Sequence, residues 1–188
     1  MKYNNVLKSL AEIKPGFAFR SAIKSCFGGG WRVIQPKNIA DDDFSDVAQV
    51  KAGSVPSVHL LMDGDVLVTN RGVARAYVFR GTAKTITTNT VFIVRILNKN
   101  ALLSEYLALY INSEYGQRQI KTKQSGMTVM AMTVTEFSDL VIPILPKIQQ
   151  QLLVKLSEAV SHSENTMREL NKLQKTILNE SIKGVLNG

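Results

Sequence analysis

Hydrophobic positions change their period twice along this chain, and the changes divide it. After a short apolar piece at 58–61, the apolar residues between 66 and 97 come in short, partly β-branched runs: Val66-Leu67-Val68, 74–80 and 85–97. Short runs bounded by turn residues predict strands, and their density predicts a β-rich, partly antiparallel sheet. Met62-Asp63-Gly64-Asp65 and Gly81 supply turns, with Gly64 where a positive φ is expected. From Ala101 the spacing becomes helical. Leu102, Leu103, Tyr106, Leu107, Leu109, Tyr110 and Ile111 recur at helical spacing up to Asn112-Ser113, and 115–123 predicts a second helix with a basic end. Upstream the pattern is weaker. Val6, Leu7, Leu10 and Ile13 suggest a lead-in helix or loop stopped by Pro15-Gly16, Phe27-Gly28-Gly29-Gly30 reads as a flexible loop, and Trp31-Arg32-Val33-Ile34-Gln35 reads as a strand closed by Pro36.

The second change falls within 137–151. After a loop at 124–128, a possible N-cap at Thr135 and a single turn at 136–139, the run Leu140-Val141-Ile142-Pro143-Ile144-Leu145-Pro146 predicts a strand stopped by prolines. From 148 to 186 there is no proline, and two seven-residue ladders interleave: Leu153, Val160, Met167, Gln174 and Leu156, Ser163, Leu170, Ile177. That is an a/d seam with polar members at Ser163 and Gln174, and it asks for a partner helix. About 36 residues at 1.5 Å each give a rod of about 55 Å. The competing reading is a core helix of the same globule.

A length of 188 residues suits one domain, 1–147, with the 148–188 helix as an appendage. No apolar run approaches the ~18 residues of a membrane span, and no leader pattern opens the chain, so the cytoplasm is the expected compartment. The single cysteine, Cys26, excludes an internal disulfide, and His59 and His162 are too few for a Cys/His zinc site. No cofactor is expected. Charge changes the picture more. The net charge is +8, and residues 66–123 hold nine basic residues (Arg71, Arg75, Arg80, Lys84, Arg95, Lys99, Arg118, Lys121, Lys123) against Glu105 and Glu114, a net of +7. Such clustering favours a polyanionic partner over a merely solvated basic face.

Catalytic patterns fail their context tests. Ser21-Ala22-Ile23-Lys24 has the Ser-x-x-Lys spacing without companion motifs, Glu12-Ile13-Lys14 lacks the aspartate of a nuclease metal pair, and Gly28-Gly29-Gly30 lies between no strand and helix. Consecutive Asp41-Asp42-Asp43 cannot easily converge on one ion. The expectation is a chain without chemistry of its own.

In order, the chain carries Trp31-Arg32-Val33-Ile34 with Asn38-Ile39, then Gly64-Asp65-Val66-Leu67-Val68, then Thr88-Asn89 leading into a strand. The leucine-rich helix at 102–109, the Ser125-Gly126-Met127-Thr128 loop and the proline-stopped strand with Gln150 follow. In this order of features it resembles the specificity subunits of type I restriction–modification systems. The junction resembles their Ile-Pro-x-Pro-Pro-x-x-Glu-Gln pattern, with Leu145 for the first of the paired prolines and Gln149 or Gln150 for the glutamate. The resemblance implies an α+β fold: a mixed, β-rich target recognition domain with peripheral helices, followed by one long C-terminal coiled-coil helix. It implies half of a usual member, which has two such domains and two antiparallel helices, so a homodimer is expected through Leu153, Leu156, Val160, Ser163, Met167, Leu170, Gln174 and Ile177.

The implied partners are double-stranded DNA, a second copy of the chain, and methylation and restriction subunits that carry the chemistry, with no membrane. A symmetric dimer predicts a bipartite, palindromic target. For base reading the expected residues are Asn70, Arg71, Arg75, Lys121, Lys123, Gln124, Ser125 and Thr128, since arginine can fork onto guanine and Asn or Gln onto adenine. Arg80, Lys84 and Arg118 are expected on phosphates, and Trp31 in the core. Rival readings are a stand-alone DNA-binding regulator and a scaffold whose basic face binds an acidic protein or RNA.

Overall fold

Two strands buried along nearly their whole length, β5 (Val66–Thr69) and β8 (Val91–Ile96), lie side by side at the centre of the folded domain. The computed structural model describes residues 3–23, 30–51, 55–82, 84–124 and 131–186. Around the central pair stand β2 (Ala11–Pro15) on β8 and β6 (Ala76–Val78) on β5, which makes a four-stranded antiparallel sheet in the order β2-β8-β5-β6. A second, mixed sheet pairs β3 (Trp31–Ile34) antiparallel with β4 (Ala48–Val50) and parallel with β7 (Thr85–Thr87). Alternation along β3 splits the core. Ile34 joins Ile39, Leu61, Leu67, Phe79, Val91 and Ile93, while Trp31 and Val33 join Val50, Val55 and Ile86. Trp31 is therefore a core residue, 8% exposed. The class is α+β, as expected.

The fold departs from the local pattern in three places, the first two through long-range pairing. Among the described residues, 3–14 form no lead-in helix. β1 (Tyr3–Val6) pairs with β9 (Val141–Ile144), a 3₁₀ turn at Leu7–Ser9 buries Leu7, and β2 follows. Four apolar residues are too few to sustain a helix when two partner strands are at hand. The run 85–97 is two strands in different sheets. The chain bends at Thr88–Thr90, where the two threonine hydroxyls share a 2.7 Å hydrogen bond and the Asn89 N–H donates to the Phe17 carbonyl. The cap before the last short helix is Thr133 rather than Thr135. Helix α4 (Val134–Ser138) opens with a capping box, in which Glu136 N–H donates to Thr133 Oγ1 and Thr133 N–H donates to Glu136 Oε2.

The remaining expectations follow local chemistry. Gly64 has φ +87. Pro36 ends β3 and opens the short helix α1 (Pro36–Asp41), with Asp42 left-handed at its C-cap and Asp43 turned onto Ser45. Helices α2 (Ser104–Asn112) and α3 (Glu114–Gln124) occupy the predicted stretches. Gly116 is required where they meet, since a Cβ there would lie 2.2 Å from the Tyr110 carbonyl oxygen. Cys26, most of the predicted glycine loop and residues 125–130 lie outside the described residues.

The chain divides into two compact units, Met1–Gln150 and Gln151–Gly188. The second is built by helix α5 (Lys147–Leu186), 40 residues without interruption. Its seam is uncovered: Leu153 is 39% exposed, Leu156 59% and Ile177 65%. Among the described residues no helix is long and apolar enough to cross a membrane.

Candidate nucleic-acid interface

Six residues, Asn70 to Arg75, connect β5 to β6, and their base is pinned by Thr69. The Thr69 N–H donates to the Arg75 carbonyl, the Arg75 N–H donates to Thr69 Oγ1, and that hydroxyl donates to the Val73 carbonyl. Gly72, at φ +66, turns the chain back. The loop is held on three sides. Asn70 N–H donates to the Thr90 carbonyl, the Met132 N–H donates to the Asn70 carbonyl, and Arg71 forms a bridge with Ala131. On the third side Gln117 of α3 donates through Nε2 to the carbonyls of Ala74 and Ile111. Arg71 and Arg75 remain exposed and make no ion pair among the described residues.

Between this loop and α3 runs an apolar-walled cleft lined by Gly72, Val73, Glu114, Gln117, Arg118, Ile120 and Lys121. Its cations come from α3. Lys121 and Lys123 occupy the last turn, where the helix dipole favours positive charge. Arg118 pairs with Glu114 one turn earlier. Beyond α3 the carboxylates of Glu136 and Asp139 sit below the usual range, Glu136 because the Thr133 backbone N–H and hydroxyl donate to it and Asp139 because Lys8 does, with Lys123 adding to both.

No family model and no curated protein matches the sequence. Solved structures do. A structure reporting complex assembly and conformational transition of the type I R-M system superposes with a TM-score of 0.66 at 19% identity. The match covers 95% of this chain and 45% of that one. The HsdS subunit of Thermoanaerobacter tengcongensis gives 0.63 at 18% identity, covering 89% and 39%. The type I S subunit from M. genitalium gives 0.58 at 13%, covering 86% and 39%. The fold is that of a type I specificity subunit. This chain spans less than half the length of each of these chains.

In this specificity-subunit fold the proposed DNA-reading residues separate into two groups. Arg71, Arg75, Arg118 and Lys121 gather around one loop and one cleft, with Lys123 at the end of the same helix. Arg80 lies elsewhere. It follows β6 at the end opposite Arg75, five residues or about 16 Å along an extended chain. There its guanidinium is engaged by Asp63 at 3.2 Å and by Glu105. Lys84 precedes β7 on that far side too, where the Leu61 N–H donates to the Thr85 carbonyl. Asn70 is turned inward: its Nδ2 donates to the Asn89 carbonyl and its Oδ1 is covered, so the amide fastens the loop to the Thr88–Thr90 bend rather than facing out. Gln124 ends α3, and Ser125 and Thr128 lie outside the described residues.

The balance of charge also shifts. Arg95 donates to Asp65 through Nε at 2.8 Å and Nη2 at 2.7 Å, and Asp65 is 2% exposed. Donating these hydrogen bonds to Asp65 raises the Arg95 pKa further. Asp63 and Asp65 stand just before the stretch of net +7, and with them included it is +5. The exposed cations of this segment thus cluster at the loop after β5 and the end of α3, with Lys84 and Lys99 exposed elsewhere.

Gln150, at the start of α5, stands out in the sequence only as part of the junction pattern. It is fully buried. Its Oε1 accepts from the Leu103 N–H at 2.9 Å, and its Nε2 donates to the carbonyls of Ala101 and Leu145, each at 2.8 Å. Gln150→Ala strands one N–H and two carbonyls, so urea titrations followed by Trp31 fluorescence should show a loss of about 2–3 kcal/mol. A change under about 0.5 kcal/mol would mean water replaces the amide.

Proposed function

We propose that the chain recognises specific double-stranded DNA as a specificity subunit, with residues of about 1–147 reading the bases and the 148–188 helix serving as spacer, dimer seam and docking surface. Methyl transfer and cleavage then belong to partner methylation and restriction subunits in the cytoplasm, and this chain directs them to its target without catalysis of its own. The observation that supports the reading is a type I specificity fold in a chain that ends in a 40-residue helix whose apolar stripe, Leu153, Leu156, Val160, Met167, Leu170 and Ile177, is exposed among the described residues. A second copy suits that stripe. In an antiparallel pair centred between Met167 and Leu170, Ser163 faces Gln174 of the partner subunit and Val160 faces Ile177 of the partner subunit, so polar meets polar and apolar meets apolar. A helix of about 60 Å exceeds one DNA turn of ~34 Å, so two recognition domains would read half-sites separated by unread base pairs.

Arg71 is the residue placed to read a base. It is exposed in a loop held on three sides, and a guanidinium can fork onto guanine. Arg71→Ala should weaken binding to the selected target by about 1–3 kcal/mol, and binding to random duplex much less. Equal losses on both would make it a phosphate contact.

A further inference from the structure

Helix α5 carries three cations close together along one of its faces. Arg168, Lys172 and Lys175, spaced four and three residues apart, share one face, where with Asn171, Thr176 and Asn179 they line a shallow depression. All six are exposed. At 3.6 residues per turn this face lies ~125° round the helix from the centre of the apolar seam. Of its four acids, Glu158, Glu169 and Glu180 recur every eleven residues, three turns, and so form a separate row, while Glu164 lies on the face of Arg168. Partners are within reach, since Glu164 precedes Arg168 by one turn and Glu169 precedes Lys172 by three residues. Yet Arg168, Lys172 and Lys175 make no ion pair among the described residues, whereas Lys183 on the same helix pairs with Glu180.

We propose that this face is a second DNA contact, independent of sequence, that takes phosphates of the duplex backbone. The inference rests on the DNA-recognition reading and deepens it. Three cations flanked by amide and hydroxyl donors match phosphate oxygens, which such groups contact without reading sequence. From Arg168 to Asn179 the face extends about 16 Å, the length of roughly five phosphates of one strand at 3.4 Å each. The unread base pairs between two half-sites are DNA of the kind such a face suits, because they offer backbone and ask for no base code. The seam stays free for the second copy, since the two faces do not overlap.

The test uses the full chain carrying Arg168→Gln, Lys172→Gln and Lys175→Gln together, with a random-sequence duplex of about 40 bp titrated between about 50 and 200 mM salt. Circular dichroism and sedimentation of the variant should match the parent, because the substitutions avoid the seam. The expected result is a log–log salt slope flatter by ~0.9 for each phosphate that is no longer neutralised, two to three units in all, and binding at least ~10-fold weaker at 50 mM. Discrimination between selected target and random duplex should be unchanged. If parent and variant share slope and affinity, the face does not touch DNA and this inference falls, while the recognition reading stands. A parent that binds no duplex at any salt would overturn the recognition reading and this inference together.

Discussion

Replacing Leu156 and Leu170 with glutamate should leave the chain monomeric and lower its affinity for a two-half-site target by about 10²- to 10⁴-fold, the range by which linked binding exceeds single binding. Both leucines are d positions, 59% and 49% exposed in the single chain. A charge there costs the isolated helix little, but in a dimer it meets apolar neighbours and has no counter-ion. Sedimentation should give one copy per particle, and the affinity of one half-site duplex should change little. That contrast separates a missing partner from an unfolded reader. A double variant that still sediments as two copies would place the seam elsewhere.

The second large effect concerns stability. Asp65→Ala should lower the unfolding free energy by about 3–5 kcal/mol, as removing one member of a buried pair does. The carboxylate accepts two bonds from Arg95 and a third from the Met62 N–H at 2.8 Å. Arg95, its side chain 24% exposed, would lose its two charge-assisted hydrogen bonds and keep only the weaker attraction of Glu12 on the neighbouring strand. Trp31, the only tryptophan, reports the unfolding of the sheet domain in urea. Adding Arg95→Leu should restore part of the loss, because a matched apolar replacement removes the weakly paired charge. A loss below about 1 kcal/mol in the single variant would mean that Arg95 swings out to solvent.

Asp65 and Gln150 also mark the limit of what residues in chain order disclose. Asp65 is legible as part of a turn, and the turn is there, with Gly64 in its positive-φ place. That Arg95 returns to it is not legible, since thirty residues separate the two and either could as well have faced solvent. Gln150 stands in a recognisable junction pattern, but its three partners come from backbone at 101, 103 and 145. Gln117, which fastens α3 to the loop after β5, gives no signal, because a glutamine in a basic helix is ordinary on any surface. Val73 and Ile120 look like unremarkable apolar residues until the fold sets them on opposite walls of one cleft.

What the sequence alone determined is what depends on near neighbours. The long helix, its apolar stripe, the buried strand at 66–69, the Gly64 turn and the leucine-rich helix all follow from periodicity and backbone preference within about ten residues. The order of those features along the chain was enough to anticipate the fold. The tertiary structure alone decided the pairing of the first strand with 141–144, the division of 85–97 between two sheets, and which cations keep their charge facing water. The physical reason is the same in each case. Sheet hydrogen bonds and charge compensation are made with whatever lies near in space, and chain order carries little record of that distance.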